Sequence, residues 1–378
     1  MNTRLLSAPF ARSEIQIQSI MLTVVLGLAP GTAWGILIFG WSALFIFFVT
    51  VLSALAFEAG CLILAEKRVL PTLTDGSALL TGWLIALTLP PWAPWWIGVL
   101  GSFLGIVVGK QVFGGLGQNL FNPAMLARVA LLVSFPLEMT AWVNPTPLFS
   151  SSAPGFLDAW AITFSGQLPA DGATGATMLG WVKTEFSQGR LLGESLASGD
   201  YGFIKSFLGW TGGSLGETSA LLFALGGGWL LKKQIITWHI PLAMLGTVAL
   251  LASVLSLIDG ERYPGPLFHL TSGALMLGAF FIATDYVTSP NSKPGQLIFG
   301  AGCGLIVYVI RTWGSYPEGV AFAVLLMNSL TPVIDHYVRP RIYGRDSKGR
   351  PLELPEGREL AAPILKLCKS LHRVVGKS

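Results

Sequence analysis

Ser77-Ala78-Leu79-Leu80-Thr81-Gly82 returns later in the chain as Gly273-Ala274-Leu275-Met276-Leu277-Gly278, and Thr88 and Thr284 keep the same offset. Phe113-Gly114 is echoed by Trp313-Gly314 at nearly the same offset. Each copy lies in an apolar run, so the repeat is one of membrane helices. Working outward, apolar runs cover 20–39, 42–65, 77–91, 94–110, 121–136, 218–231, 237–258, 268–284, 295–311 and 318–335, and a run of about 20 residues spans a bilayer as helix. Several runs are short. The third ends at Pro90-Pro91 and the fifth contains Asn122-Pro123. Short or Pro/Gly-interrupted runs read as discontinuous helices lining an internal site. The expected fold is an all-α polytopic membrane protein of about ten transmembrane helices, arranged as two inverted five-helix repeats with some broken helices.

Composition agrees. The 378 residues are 52% hydrophobic and 12% charged, with mean hydropathy +0.63. A soluble domain carries about twice that charged fraction. Cys61, Cys303 and Cys368 are far apart and offer neither a disulfide framework nor a metal site. The net charge of +4 gives no reason to expect a nucleic-acid partner. No cleavable leader is read at the N-terminus, where Met1 to Glu14 is polar.

Lysine and arginine set the expected orientation. With the N-terminus inside, 19 of 24 basic residues fall on inside segments; these include Lys67, Arg68, Lys110, Arg128, Lys232, Lys233 and ten after the last run. Lys183, Arg190, Lys205, Arg262 and Arg311 fall outside. The expected layout is a cytoplasmic N-terminus (1–19), a first membrane repeat (20–136), a periplasmic loop (137–217), a second repeat (218–338) and a basic cytoplasmic tail (339–378). That tail suits a partner subunit or anionic lipid headgroups, against the plainer reading of a partly ordered cytoplasmic tail.

Four sets of residues are candidates for chemistry. Asp171-Gly-Ala-Thr174-Gly175-Ala176-Thr177, inside the long polar loop, resembles the signature read by bacterial flavin transferases, which join flavin mononucleotide to threonine through its phosphate. Gly175 and Ala176 would give a bulky phosphate donor clearance to an exposed Thr177 hydroxyl, and Asp171 would aid recognition. The bland alternative is a Gly-rich turn. Gly114, Gly115 and Gly117 have no preceding strand and no following acid to make a dinucleotide site. They read as a tight turn into the fifth run, where Asn119 and Asn122 need hydrogen-bond partners and could line a cofactor or ion path. Glu58 and Asp285 are the acids placed to line an ion path, against the plainer reading of hydrated interfacial carboxylates. Tryptophans near run ends, Trp92, Trp95 and Trp96 among them, read as an interfacial belt.

Taken together with Pro91-Trp-Ala-Pro-Trp-Trp96, Gly114-Gly-Leu-Gly-Gln-Asn119, Phe121-Asn-Pro-Ala124, Trp238-His-Ile-Pro-Leu242, Gly278-Ala-Phe-Phe281 and Tyr316-Pro-Glu-Gly-Val-Ala-Phe-Ala-Val-Leu-Leu326, the chain resembles the D subunits of Rnf (Rsx) electron transport complexes. It is more distantly similar to the B subunit of the sodium-pumping NADH:quinone reductase. The resemblance covers nearly all of 8–345. Two features depart from it: Tyr286 stands where proline is expected after Asp285, and the chain extends beyond Arg339-Pro-Arg-Ile-Tyr-Gly344.

The resemblance implies one bacterial inner-membrane subunit of an ion-translocating ferredoxin:NAD oxidoreductase, with Na+ or H+ moved by electron flow. It implies FMN on Thr177 and leaves room for a second flavin such as riboflavin. Its implied partners are a second FMN-bearing subunit, iron–sulfur subunits and a flavin transferase. The NAD site and clusters would belong to those partners, so no complete active site is expected in this chain. A secondary transporter fits inverted repeats equally well but has no use for a flavinylation motif. A cofactor-free scaffold for other redox subunits would make that motif accidental.

Overall fold

A computed structural model describes residues 16–151, 153–166, 174–189, 202–340, 344 and 350; for Thr174 only the backbone is described. Asp171, residues 1–15 and almost all of the basic tail lie outside the described residues. The chain divides into two compact units, Met1–Tyr337 and Val338–Ser378. In the second, Gly344 makes a turn at φ 78°.

Helices dominate the first unit. The opening apolar runs form α1 (Ile17–Leu64), which would measure about 72 Å if straight, far beyond the roughly 30 Å hydrocarbon thickness. It breaks at Gly40 (φ 77°, ψ −158°), a backbone conformation open essentially to glycine. A short α2 (Val69–Leu73) leads to α3 (Ser77–Thr88). Next comes α4 (Trp95–Ser102), which continues as a π-helical stretch, Phe103–Gln111. Positive φ at Gly114, Gly115 and Gly117 turns the chain into α5 (Pro123–Ser134), as the turn reading expects. Asn122 and Pro123 open this helix rather than interrupting it. Asn122 accepts from the Ala124 and Met125 N–H groups as N-cap, and Pro123 needs no partner for its missing N–H.

The 137–217 loop carries α6 (Pro136–Thr140), β1 (Trp142–Val143), α7 (Phe156–Trp160) with a π turn (Ala161–Ser165), β2 (Thr174–Gly175), α8 (Met178–Ser187) and α9 (Phe203–Leu208). Strands β1 and β2 pair antiparallel, Trp142 opposite Gly175 and Val143 opposite Thr174, in the one strand pairing among the described residues. A 3-10 turn (Leu215–Glu217) then enters α10 (Ala220–Lys232) and α11 (His239–Ile258).

The eighth apolar run, read on sequence as one span over 268–284, is discontinuous. It comprises α12 (Pro266–Thr271), a break at Gly273 (φ 71°), and α13 (Leu275–Leu277) running into a π turn (Gly278–Ile282). Helices α14 (Lys293–Trp313) and α15 (Val320–Tyr337) complete the unit. By length and composition, α1, α11, α14 and α15 are apolar enough to cross a membrane, and shorter apolar helices accompany them.

Small residues let these helices touch. On α1, Gly27, Gly31 and Gly35 repeat every fourth residue; a Cβ at Gly31 would meet the Phe223 ring at 2.7 Å, and one at Gly35 the Leu215 carbonyl oxygen at 3.0 Å. On α14, Gly300 abuts the Ile240 carbonyl of α11 in the same way. This small-xxx-small spacing is how apolar helices gain close packing where no hydrophobic driving force separates helix from lipid.

Three basic residues counted by side on sequence are buried within helices. Lys110, Arg128 and Arg311 are buried within the π stretch, α5 and α14. Counting charge along the chain cannot see a cation drawn inward by a buried anion or carbonyl. Without them, the bias toward inside segments persists in the remaining basic residues.

Candidate functional site

Thr177 lies immediately before α8. Its extended backbone (φ −64°, ψ 153°) and its Oγ1, which accepts from the Gly180 N–H at 3.1 Å, make it the N-cap. The residue is 6% exposed, not the open hydroxyl expected from the sequence. The physical reason is long-range. Gly212 packs beside Ala176 and Val143, and Ser206, Ser272 and Gly273 close over the cap from distant parts of the chain. Gly175 is held by β1: a Cβ there would collide with the Asn144 side chain. A cavity of only about 10 Å³, room for about one water molecule, remains beside Thr177, with Glu217 in its wall.

Charges gather behind this cavity. Arg311 donates to the His269 and Ser272 carbonyls at 2.7 and 2.9 Å and pairs with Glu318 at 3.0 Å. Arg128 lies over the Trp142 ring, 5.7 Å from its centroid. Glu217, in the turn ahead of α10 and outside the apolar helices, accepts from Ser214 at 2.9 Å. Burial pushes its carboxyl up to about 7; Glu318 adds to the rise and Arg128 opposes it. Lys183, on α8, donates to the Ile310 and Tyr316 carbonyls at 3.0 and 2.9 Å, and burial lowers its ammonium below the ordinary lysine range.

The other sequence candidates meet elsewhere. Asn119, Asn122 and Asp285 line one cleft, together with Ser77, Lys110 and Tyr286. Asn119 donates to the Phe121 carbonyl at 3.0 Å, and Asn122 donates to the Ile282 carbonyl at the end of the π turn. Asp285 lies just beyond that turn, where its carboxylate accepts from the Val287 N–H and the Thr288 hydroxyl. Glu58 is fully buried rather than hydrated, and it pairs with Lys110 at 2.8 Å; Lys110 also donates to the Ser77 Oγ at 2.8 Å. The Glu58 Oε2 has no hydrogen-bond partner among the described residues. Glu58 therefore joins the cleft through Lys110.

Sequence reading missed Lys110, Ser77, Glu217 and the Arg311–Glu318 pair as site residues. One signal was available: Lys110 ends an apolar run and Glu58 sits late in another, and a buried cation and a buried acid each require a partner. The chain holds no cluster of His, Cys, Asp or Glu suited to a metal ion among its described residues.

Residues 4–344 match the NQR2, RnfD, RnfE family. The D subunit of the ion-translocating oxidoreductase complex of Stutzerimonas stutzeri is 58% identical over 336 residues, covering 89% of this chain and 94% of that protein. The protein of the same name from Halorhodospira halophila (strain DSM 244 / SL1) is 50% identical over 350 residues, 93% and 98% of the two chains. That from Escherichia coli O6:H1 is 44% identical over 352 residues, 90% and 98%. With a family match across nearly all of its first unit and relatives of this identity over almost their full length, this chain belongs to the NQR2, RnfD, RnfE family of multi-pass membrane subunits.

Proposed function

We propose that this chain is a covalently flavinylated, membrane-embedded electron-transfer subunit of a bacterial inner-membrane ferredoxin:NAD oxidoreductase that translocates Na+ or H+. The observation that carries the reading is the setting of Thr177. Its hydroxyl stands at the N-terminus of a ten-residue helix, beside a cavity, after the small pair Gly175-Ala176. The free N–H groups and dipole of a helix N-terminus favour a phosphate, so the residues present suit a phosphodiester to FMN. The ester oxygen can keep accepting from Gly180, and a Glu217 that takes up a proton near neutrality spares the phosphate a second negative charge. When bound, the flavin supplies one- and two-electron transfer. Thr174 and Asp171 belong to the recognition motif in this reading.

The Asn119–Asn122 cleft is the candidate seat for a second, non-covalent flavin such as riboflavin. Glu58 and Asp285, at or behind its wall, are the candidate ion-path residues. The reading takes ten spans in two inverted halves, and a repeat between the halves is supported by a parallel in hydrogen bonding. Lys110, at the end of the π stretch after α4, reaches Ser77 at the head of α3, and Arg311, near the end of α14, reaches Ser272 at the break before α13. Both termini face the cytoplasm and the 137–217 loop the periplasm in this scheme. Iron–sulfur subunits, a second FMN-bearing subunit and membrane lipid are the partners, with a flavin transferase acting during maturation.

The test is flavin fluorescence on a denaturing gel, from cells that express a flavin transferase. A bright wild-type band, dark in Thr177→Ala and bright in Thr174→Ala, is expected. A dark wild-type band sinks the flavin reading and favours a transporter. Fluorescence lost only in Thr174→Ala moves the attachment.

A further inference from the structure

We propose that Lys110 is a tethered cation: its ammonium fills an oxygen site at Glu58 and Ser77, and a sodium ion takes that site when Lys110 is drawn into the adjoining cleft. This rests on the reading of Glu58 and the cleft as parts of an electron-driven ion path. Glu58 lies late in α1 and Lys110 near the end of the π stretch, with side chains 0% and 2% exposed. The Lys110 Nζ is 2.8 Å from Glu58 Oε1 and 2.8 Å from Ser77 Oγ.

Three observations support the assignment. The first is that the ammonium leaves its pocket partly unmet. Glu58 Oε2 is buried without a hydrogen-bond partner among the described residues, and an idle carboxylate oxygen in the interior is costly. An ammonium bonds only along its three N–H directions. A hard metal cation has no such directions and takes carboxylate, hydroxyl and water oxygens together. Glu58 Oε1, Glu58 Oε2 and Ser77 Oγ offer it three oxygens, and water from the cleft can supply the rest.

The second is that Lys110 has somewhere to go. Lys110 and Ser77 line the cleft that Asp285 also lines, whereas Glu58 stands behind them. A lysine carries a compact charge on a flexible four-carbon stem, so the ammonium can move without its backbone. Negative charge that arrives in the cleft with an electron attracts the ammonium away from Glu58. The charges then balance: Lys110 offsets the electron, and the incoming cation offsets Glu58.

The third is the backbone that carries Lys110. The π stretch Phe103–Gln111 is nine residues long, and its wide turns continue past Lys110, whose carbonyl accepts from the Gly115 N–H five residues on at 3.1 Å. Such turns are usually single and mark functional sites. Rewinding part of the stretch to α-helical pitch rotates Lys110 about the helix axis, away from Glu58.

The experiment is thermal unfolding of the purified full-length subunit in nonionic detergent, followed by tryptophan fluorescence. Sodium chloride is compared with choline chloride at constant ionic strength and pH, for wild type, Lys110→Met and Lys110→Met/Glu58→Leu. Wild type and the double variant should each unfold at the same temperature in both salts, because one holds its own cation and the other has no site. Lys110→Met should have a lowered midpoint in choline, and the midpoint should climb with the logarithm of sodium concentration, as a bound ligand requires. A Lys110→Met midpoint that is the same in both salts overturns the proposal. A sodium response of equal size in wild type or in the double variant places the binding elsewhere and overturns it too. Should Lys110→Met not fold, Lys110→Gln, whose amide can still donate to Glu58, goes through the same titration and is judged by the same outcomes. Electron-driven sodium uptake by the wild-type complex in vesicles tests the ion-path reading separately. Uptake together with a sodium-insensitive Lys110→Met overturns the tethered cation alone, and absence of uptake overturns the sodium path and this proposal with it.

Discussion

Removing the ammonium from Lys110 should destabilise the subunit more than any other single change among its described ion pairs. Lys110 and Glu58 are 2% and 0% exposed and 2.8 Å apart. At that separation and an effective dielectric constant of about 20, their attraction is about 6 kcal/mol. Most of it offsets the several kcal/mol needed to desolvate each ion. In Lys110→Met the desolvation of Glu58 remains while the attraction is gone, and Glu58 Oε1 joins Oε2 in having no partner. The expected cost is about 3–5 kcal/mol. Glu58→Leu should cost a similar amount, because Lys110 then keeps only Ser77. The double variant replaces both ions with apolar groups of similar length. It should come close to the wild type, leaving a coupling energy of about 6 kcal/mol or more in the cycle. The assay is unfolding of the four proteins in mixed micelles over a graded sodium dodecyl sulfate titration, followed by tryptophan fluorescence. If both single variants stay within about 1 kcal/mol of the wild type, or the two costs simply add, the pair is not the buried, mutually dependent element described here.

Two further outcomes are expected. Glu217 has its carboxyl raised by burial to about 7, so between the ordinary carboxylate range and pH 7 the folded protein holds a proton that the unfolded chain has released. Its contribution is therefore full in acid and is lost as pH rises to about 7; thermal unfolding from pH 5 to 8 should show wild type losing stability relative to Glu217→Gln, and parallel curves would contradict this. Asn122→Ala removes the cap acceptor for the Ala124 and Met125 N–H groups and the donor to Ile282, and should cost about 1–2 kcal/mol in the same micelle titration, with Asn122→Asp recovering the cap portion.

The helices were legible because apolar runs bounded by Pro and Gly leave few alternatives at these lengths. The break of the eighth run was not singled out on sequence; Gly273 makes it. The junction of the first two runs was not legible: the short gap between 39 and 42 reads as a loop, yet the structure passes through a single glycine conformation at Gly40. In the site, Asn119 and Asn122 were readable together and Asp285 separately, since polar residues at the heads and ends of apolar helices must find partners; that all three line one cleft was not. Lys110 was misassigned because a charge count treats each cation as hydrated. The burial of Thr177 was invisible for another reason. Its cap bond is local, but the residues that cover it, Ser206, Gly212 and Gly273, are brought there only by the tertiary fold.

The Gly40 break also bears on the order of assembly. Leu37, three residues before it, has its carbonyl oxygen taken by the Leu148 N–H at 2.8 Å. The acceptor freed where α1 turns is thus satisfied by a strand of chain that leaves the ribosome long after α1 has been made. During synthesis the first helical pair must wait in water or lipid with that acceptor open, and its corner gains its last hydrogen bond only when the 142–148 segment arrives. The nascent corner is a latch completed late. Truncations ending before Leu148 should therefore yield an α1 whose corner is looser to proteases than the same corner in the full chain.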